Sequence, residues 1–188
     1  LIDNYDSFTY NLVQLIRESG LWDLTVLPYN AVDESVIDRF DKIVISPGPG
    51  IPDDFPNLQK FIERFYASKS FLGVCLGHEA IGLTFGAELY NSGEVFHGIS
   101  KTTRVEKSGH FFFNDIPADF KAGLYHSWAL RKDKFPQDLD VLATADDGII
   151  MAITHVEFDL VGVQFHPESI MTEWGSRMVR NWLLKKND

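Results

Sequence analysis

Apolar and polar positions fall into two textures along this chain, with the change near residue 86. Before it, short apolar runs alternate with amphipathic stretches. Leu1-Ile2-Asp3 reads as the end of a strand, which places further strand residues upstream of Leu1. Phe8, Leu12, Leu15 and Ile16 follow at helical spacing, with Asp6 or Ser7 as caps and Gly20 as a stop. Leu24 to Leu27 reads as a second strand ended by Pro28, Asp33 to Phe40 as a short helix, and Lys42 to Ile45 as a third strand. Leu58, Phe61, Ile62 and Phe65 mark a helix capped by Asn57. Phe71-Leu72-Gly73-Val74 is a buried strand, and Leu76 to Phe85 starts another helix. Strands alternating with helices predict βαβ units, hence an α/β fold with an open, mostly parallel twisted sheet flanked by helices.

After residue 86 strand-like pieces crowd together: Ala87–Tyr90, Thr102–Glu106, Phe111–Phe113, Val141–Ala145, Ile149–Thr154 and Leu160–Val163. Turn signals at Ser92-Gly93, Ser108-Gly109 and Asp146-Asp147-Gly148 separate several of them. This half reads as a smaller antiparallel β portion supplying covering hairpins. A last helix from about Gly175 places Trp174, Met178 and Trp182 on one stripe, read as core packing, and the Lys185–Asp188 tail reads as solvated. With no linker, repeat or low-complexity segment, residues 1–188 read as one domain.

Composition narrows the function classes. A hydrophobic fraction of 45% over 188 residues excludes disorder. A formal net charge of -10 argues against unassisted nucleic-acid or anionic-membrane binding. The single cysteine cannot form an internal disulfide, which fits a reducing, cytoplasmic setting. No apolar run reaches membrane-span length, and no signal-peptide layout opens the sequence.

That cysteine carries the chemistry. In Gly73-Val74-Cys75-Leu76-Gly77-His78, glycines stand two before and two after it, the layout of a nucleophile elbow. A helix N-terminus facing the sulfur favours thiolate. The bland alternative is a buried structural cysteine. Ser46-Pro47-Gly48-Pro49-Gly50-Ile51-Pro52 follows a strand and reads as a rigid loop where open α/β sheets bind ligands; its glycine N–H groups suit an oxyanion. In Gln164-Phe165-His166-Pro167-Glu168-Ser169, side chains two apart point the same way if extended. His166 is then a candidate base with Glu168 as its orienting acid, against a structural histidine and a surface acid. Tyr125-His126-Ser127-Trp128 suits either a small polar substrate or ordinary packing. Asp3, Asn4, Asp6 and Ser7 match no standard metal loop and read as turn and capping residues, so no metal site is expected.

Taken in order with Asn4-Tyr5-Asp6-Ser7-Phe8, these motifs resemble the class I, or triad, glutamine amidotransferases, in particular the small subunits (component II) of anthranilate and aminodeoxychorismate synthases. The resemblance covers essentially the whole chain and implies a flavodoxin-like sheet. It implies that Cys75 attacks the side-chain amide of L-glutamine, His166 moves the proton, and Glu168 orients His166. The Leu76 and Gly48 N–H groups would face the oxyanion. Gly48, Pro49, Gly50, Leu76, Glu79, Ser127 and Trp128 match positions that hold glutamine or its oxyanion. The implied partner is a larger chorismate-binding synthase subunit (component I), which receives the ammonia; no cofactor is expected in this chain. The sequence departs from the family pattern at Glu79, where Gln is usual, at Leu124, where Arg is frequent, and at His97-Gly98-Ile99-Ser100-Lys101, where His-Gly-Lys-Thr-Ser is frequent. The last two tip the expected product toward aminodeoxychorismate. The alternatives are a standalone cysteine hydrolase of γ-glutamyl substrates and a non-catalytic regulatory or scaffold subunit.

Overall fold

The computed structural model describes residues 1–185 other than Trp22, Val95 and Lys134. The first texture folds as β1 (Ile2–Asp3), α1 (Thr9–Ser19), β2 (Leu27–Pro28), α2 (Glu34–Ile37), β3 (Lys42–Ile45), α3 (Pro56–Phe65), β4 (Ser70–Val74) and α4 (Leu76–Thr84). The second folds as β5 (Leu89–Asn91), β6 (Ile99–Val105), β7 (Asp119–Leu124), β8 (Trp128–Leu130), β9 (Leu139–Ala145), β10 (Ile150–His155), β11 (Leu160–Val163) and α5 (Gly175–Leu184).

Nine of these strands form one sheet in the order β2-β1-β3-β4-β11-β10-β9-β6-β7, and β5 pairs with β8 in a separate ribbon. From β2 to β11 every pairing is parallel; from β11 to β7 every pairing is antiparallel. The antiparallel half therefore continues the sheet, where covering hairpins were expected.

Helices bury both faces of the parallel strands, which is why those strands are apolar at nearly every position. Ile43, Ile45 and Phe71 meet Ile37 of α2, Leu58, Phe61 and Ile62 of α3, and Ile81 of α4. Val44, Leu72 and Val74 face the opposite layer, with Leu12 and Ile16 of α1 and Met178 and Trp182 of α5. Gly20 ends α1 in the left-handed conformation, as expected.

Other local expectations need correction. Only Leu27–Pro28 of the second strand is regular; Thr25 contributes its carbonyl to the Leu1 amino group (2.7 Å) at the edge of the sheet. Asn57 does not cap α3, because Pro56 already occupies the first helical position; the Asn57 N–H donates to the Tyr29 hydroxyl (3.0 Å) instead. Asp6 closes the turn ahead of α1 by accepting from the Phe8 N–H (2.7 Å). Phe111–Phe113 is one turn of 3-10 helix, not a strand: His110 Nδ1 accepts from the Phe112 N–H, and Phe112 and Phe113 are buried. Trp174 leaves the apolar stripe of α5, being 46% exposed in a left-handed conformation. Of the tail, Lys186, Asn187 and Asp188 lie outside the described residues, while Lys185 pairs with Asp159 (3.1 Å).

Candidate active site

Parallel strands share one C-terminal edge, so the loops leaving neighbouring strands gather there. β1, β3, β4 and β11 are consecutive in the sheet. They deliver respectively Asp6, the Pro-Gly loop, Cys75, and the Gln164–Glu168 segment.

The elbow is built by close approach. Cys75 has φ 51° and ψ −100°, an unusual conformation for a residue with a side chain, and it begins α4. A Cβ on Gly73 would lie 2.4 Å from the Gly77 carbonyl, and one on Gly77 would lie 2.7 Å from the Ile45 carbonyl. The two flanking glycines thus let α4 pack directly onto β4 and β3. The Cys75 N–H donates to the Val163 carbonyl (2.8 Å), tying the turn to the end of β11. His78, in the same motif, does not line the cavity; it is fully buried against Gly162, and burial pulls its pKa down to about 3.

Beside the sulfur lies a cavity of about 220 Å³ lined by Asp6, Gly48, Pro49, Gly50, Cys75, Leu76, Glu79, Tyr125, His126, Ser127 and Trp128. Each residue that the resemblance assigned to glutamine or its oxyanion is in this lining. Gly48 is confined: a Cβ there would be 2.4 Å from Leu76 Cδ2. Its loop is anchored at Ser46, whose hydroxyl accepts from the Asn4 N–H and whose carbonyl accepts from the Asn4 side chain, both at 2.9 Å.

His166 and Glu168 are buried together, and His166 Nδ1–H donates to Glu168 Oε1 at 2.7 Å. This fixes the tautomer and leaves Nε2, which has no hydrogen-bond partner, free to exchange a proton. The rings of Phe8 and Tyr125 stand edge-on to the imidazole, with centroids 5.5 and 4.9 Å away. The Thr172 hydroxyl donates to the His166 carbonyl (2.6 Å). Gly175, first residue of α5, approaches so closely that a Cβ there would lie 1.9 Å from the Pro167 carbonyl.

Burial, then the charges of Glu79, Asp6 and Glu168, push the Cys75 thiol well above its ordinary pKa; the Leu76 N–H pulls it part of the way back. At rest the sulfur is a thiol and needs a base. Burial also raises Glu79 to about 8 against a hydrogen bond from Gln164, and lowers His126 to about 4. Among the described residues no group of three or more His, Cys, Asp or Glu is placed to hold a metal ion. Asp3 instead accepts from the Tyr5 N–H and the Thr9 hydroxyl.

Sequence reasoning passed over Gln164. Its Nε2 lies 3.1 Å from Glu79 Oε1 and 3.8 Å from Cys75 Sγ. No local signal marks it: the chain bends at Gln164 and Phe165 just past β11, so side-chain alternation does not place it. Asp6, a turn residue by sequence, lines the cavity, and Tyr125 of the polar-aromatic stretch does so while packing on the base.

Residues 1–186 match the model of the family described as "Glutamine amidotransferase class-I". The chain belongs to that family of enzymes. Among similar curated proteins, an anthranilate synthase component 2 from Azospirillum brasilense is 41% identical over 97% of this chain and 93% of its own length. An aminodeoxychorismate/anthranilate synthase component 2 from Bacillus subtilis is 39% identical over 97% of this chain and 94% of its own. A glutamine amidotransferase structure from Thermotoga maritima superposes with TM-score 0.72 at 18% identity, covering 96% of this chain and 78% of that one, which supports the fold. No helix among the described residues is long and apolar enough to cross a membrane.

Proposed function

We propose that this chain is the glutaminase subunit of a chorismate-aminating synthase, working as one amidotransferase domain in the cytoplasm. The observation that carries the reading is the convergence, at one sheet edge, of a strained cysteine elbow, a 2.7 Å His–Glu pair and a cavity of amino-acid size. Glutamine enters with its side-chain amide at Cys75. His166 Nε2 takes the thiol proton, and Cys75 Sγ bonds to the amide carbon. The Leu76 and Gly48 N–H groups stabilise the oxyanion, and His166 returns the proton to departing ammonia. Water then hydrolyses the thioester to glutamate. Glu168 holds His166 in the working tautomer and stabilises it when charged. Ser127, Trp128, Pro49, Gly50 and Glu79 bound the rest of the substrate.

The partner is a larger subunit that binds chorismate, as the names of the relatives support. Tyr5, Ile170 and Trp174 are large apolar side chains left exposed, and Tyr5 adjoins Asp6 of the cavity lining in the chain. The leaning toward aminodeoxychorismate rested on Leu124 and Ile99. Leu124 is fully buried in β7, so it offers nothing to a partner and the leaning now rests on the partly exposed Ile99 alone. Co-purification from the source cell, followed by assay with chorismate and glutamine, tests the reading. Glutamate release with anthranilate or aminodeoxychorismate as product supports it and names the branch. Full activity without a larger subunit, or a preference for γ-glutamyl peptides, overturns it.

A further inference from the structure

Glu79 is 3% exposed, one helical turn beyond Cys75 on α4, and it faces the cavity. Its Oε1 accepts from Gln164 Nε2 (3.1 Å), and that same nitrogen is 3.8 Å from Cys75 Sγ. One buried amide therefore joins a carboxyl to the nucleophile. Gln164 is held in place by its own N–H, which donates to the Met151 carbonyl (2.9 Å).

The surroundings offer this carboxyl no counter-charge. Among the described residues lining the cavity none is Lys or Arg. Strands β4, β8 and β11, which pack on α4, carry no ionisable side chain, and His155 ends β10 at the opposite edge of the sheet. Lys60, Glu63 and Arg64 of α3 are exposed. Asp54, in the turn beneath α4, is engaged by the Ile51 N–H (3.0 Å). His78 and His126 are held neutral by burial. His166 is paired with Glu168, and Asp6 and Glu168 already act against the Cys75 thiolate.

We propose that Glu79, besides bounding the substrate cavity, gates Cys75 through its own protonation: a neutral carboxyl permits the thiolate, and a carboxylate holds the sulfur as thiol. The inference rests on the glutaminase reading above. Burial sets the crossover, because it carries Glu79 from 4.5 to about 8. Below that pH the carboxyl is neutral; above it a third negative charge joins Asp6 and Glu168, and turnover falls while a simple thiol would become more reactive.

The test compares the pH profile of glutamate release by the co-purified complex for wild type and Glu79→Gln. Wild type loses kcat in mild alkali; in Glu79→Gln that limb is absent or displaced upward by about one pH unit or more. The rate at which iodoacetamide alkylates Cys75 in the full chain reaches half its maximum at lower pH in the variant, a change that a merely structural role would not produce. Coincident alkaline limbs and alkylation curves, with glutamate release intact, overturn the gate and leave the glutaminase reading standing. No release at any pH removes both. Should Glu79→Gln not fold, the infrared band of a buried protonated carboxyl serves in wild type: present at neutral pH and lost in mild alkali supports the gate, absent at neutral pH overturns it.

Discussion

Strands β1, β3, β4 and β11 each end in a loop or turn that reaches the cavity region, whereas the antiparallel strands β10, β9, β6 and β7 lend it one segment, Tyr125 to Trp128, which leaves β7. Both halves contribute to both apolar clusters of the core; what differs is direction. Parallel strands put all their C-terminal ends on one edge, so chemistry from distant parts of the sequence meets there. Antiparallel strands send alternate ends to opposite edges and make width, not convergence. β11 belongs to both halves, pairing parallel with β4 and antiparallel with β10, and the base and its acid follow it. The working site therefore sits where the sheet changes character.

That contrast can be broken experimentally, most severely at the edge. Cys75→Ser is expected to lower glutamate release by ~10³-fold or more while the unfolding midpoint is kept, since the substitution removes the nucleophile and little volume. His166→Ala should cost ~10²- to 10⁴-fold in the same assay, and Glu168→Gln a comparable amount, because an amide can donate to Nδ1 and turn the imidazole to the wrong tautomer. Next come the glycines. Gly73→Ala sets a methyl 2.4 Å from backbone atoms of Gly77, so urea unfolding should show a loss of about 3 kcal/mol or more. Gly109→Ala, in the antiparallel half with nothing within 4 Å of the added methyl, should change stability by less than about 0.5 kcal/mol. Equal losses at the two glycines would mean that the close approach at the elbow carries no special cost.

A gentler probe is stability against pH. Glu79 is neutral in the folded protein up to about 8 but ionises near 4.5 when unfolded. The unfolded chain binds fewer protons between those values, so wild-type stability contributed by this group falls as pH rises from 4.5 toward 8. Glu79→Gln lacks that penalty. Its melting temperature should match wild type near pH 4.5 and exceed it increasingly toward pH 8. A constant difference across that range would mean that Glu79 is already ionised in the folded protein.

The parallel half was legible because strands buried on both faces write continuous apolar runs, as in Lys42–Ile45 and Phe71–Val74, and because glycine and proline punctuate their loops. The antiparallel half hid more. Asp119–Leu124 interrupts its alternation with Ala122 and Gly123, both buried, and Trp128–Leu130 makes a strand only because Leu89–Asn91 lies beside it. Phe111–Phe113 looks like a strand by composition and becomes a turn because Asn181 of α5 donates to the Phe112 carbonyl and fixes the segment under that helix. At the site, residue types with reactive chemistry stood out, while Gln164 did not. Its importance comes from two contacts across the sheet edge, to residues 85 and 89 positions away, which no local pattern records.

The contact of Gly175 with the Pro167 carbonyl also bears on the order in which the protein is made. Synthesis runs from the N-terminus, and the elbow strand is complete by residue 75. Gln164, His166, Glu168 and the helix that braces their loop are made well after the elbow. A nascent chain stopped before Gln164 has the elbow and every parallel strand but neither the base nor the orienting acid. The cysteine therefore exists in the growing chain before its base does, and a chain lacking the segment after β11 holds its thiol beside neither His166 nor Glu168.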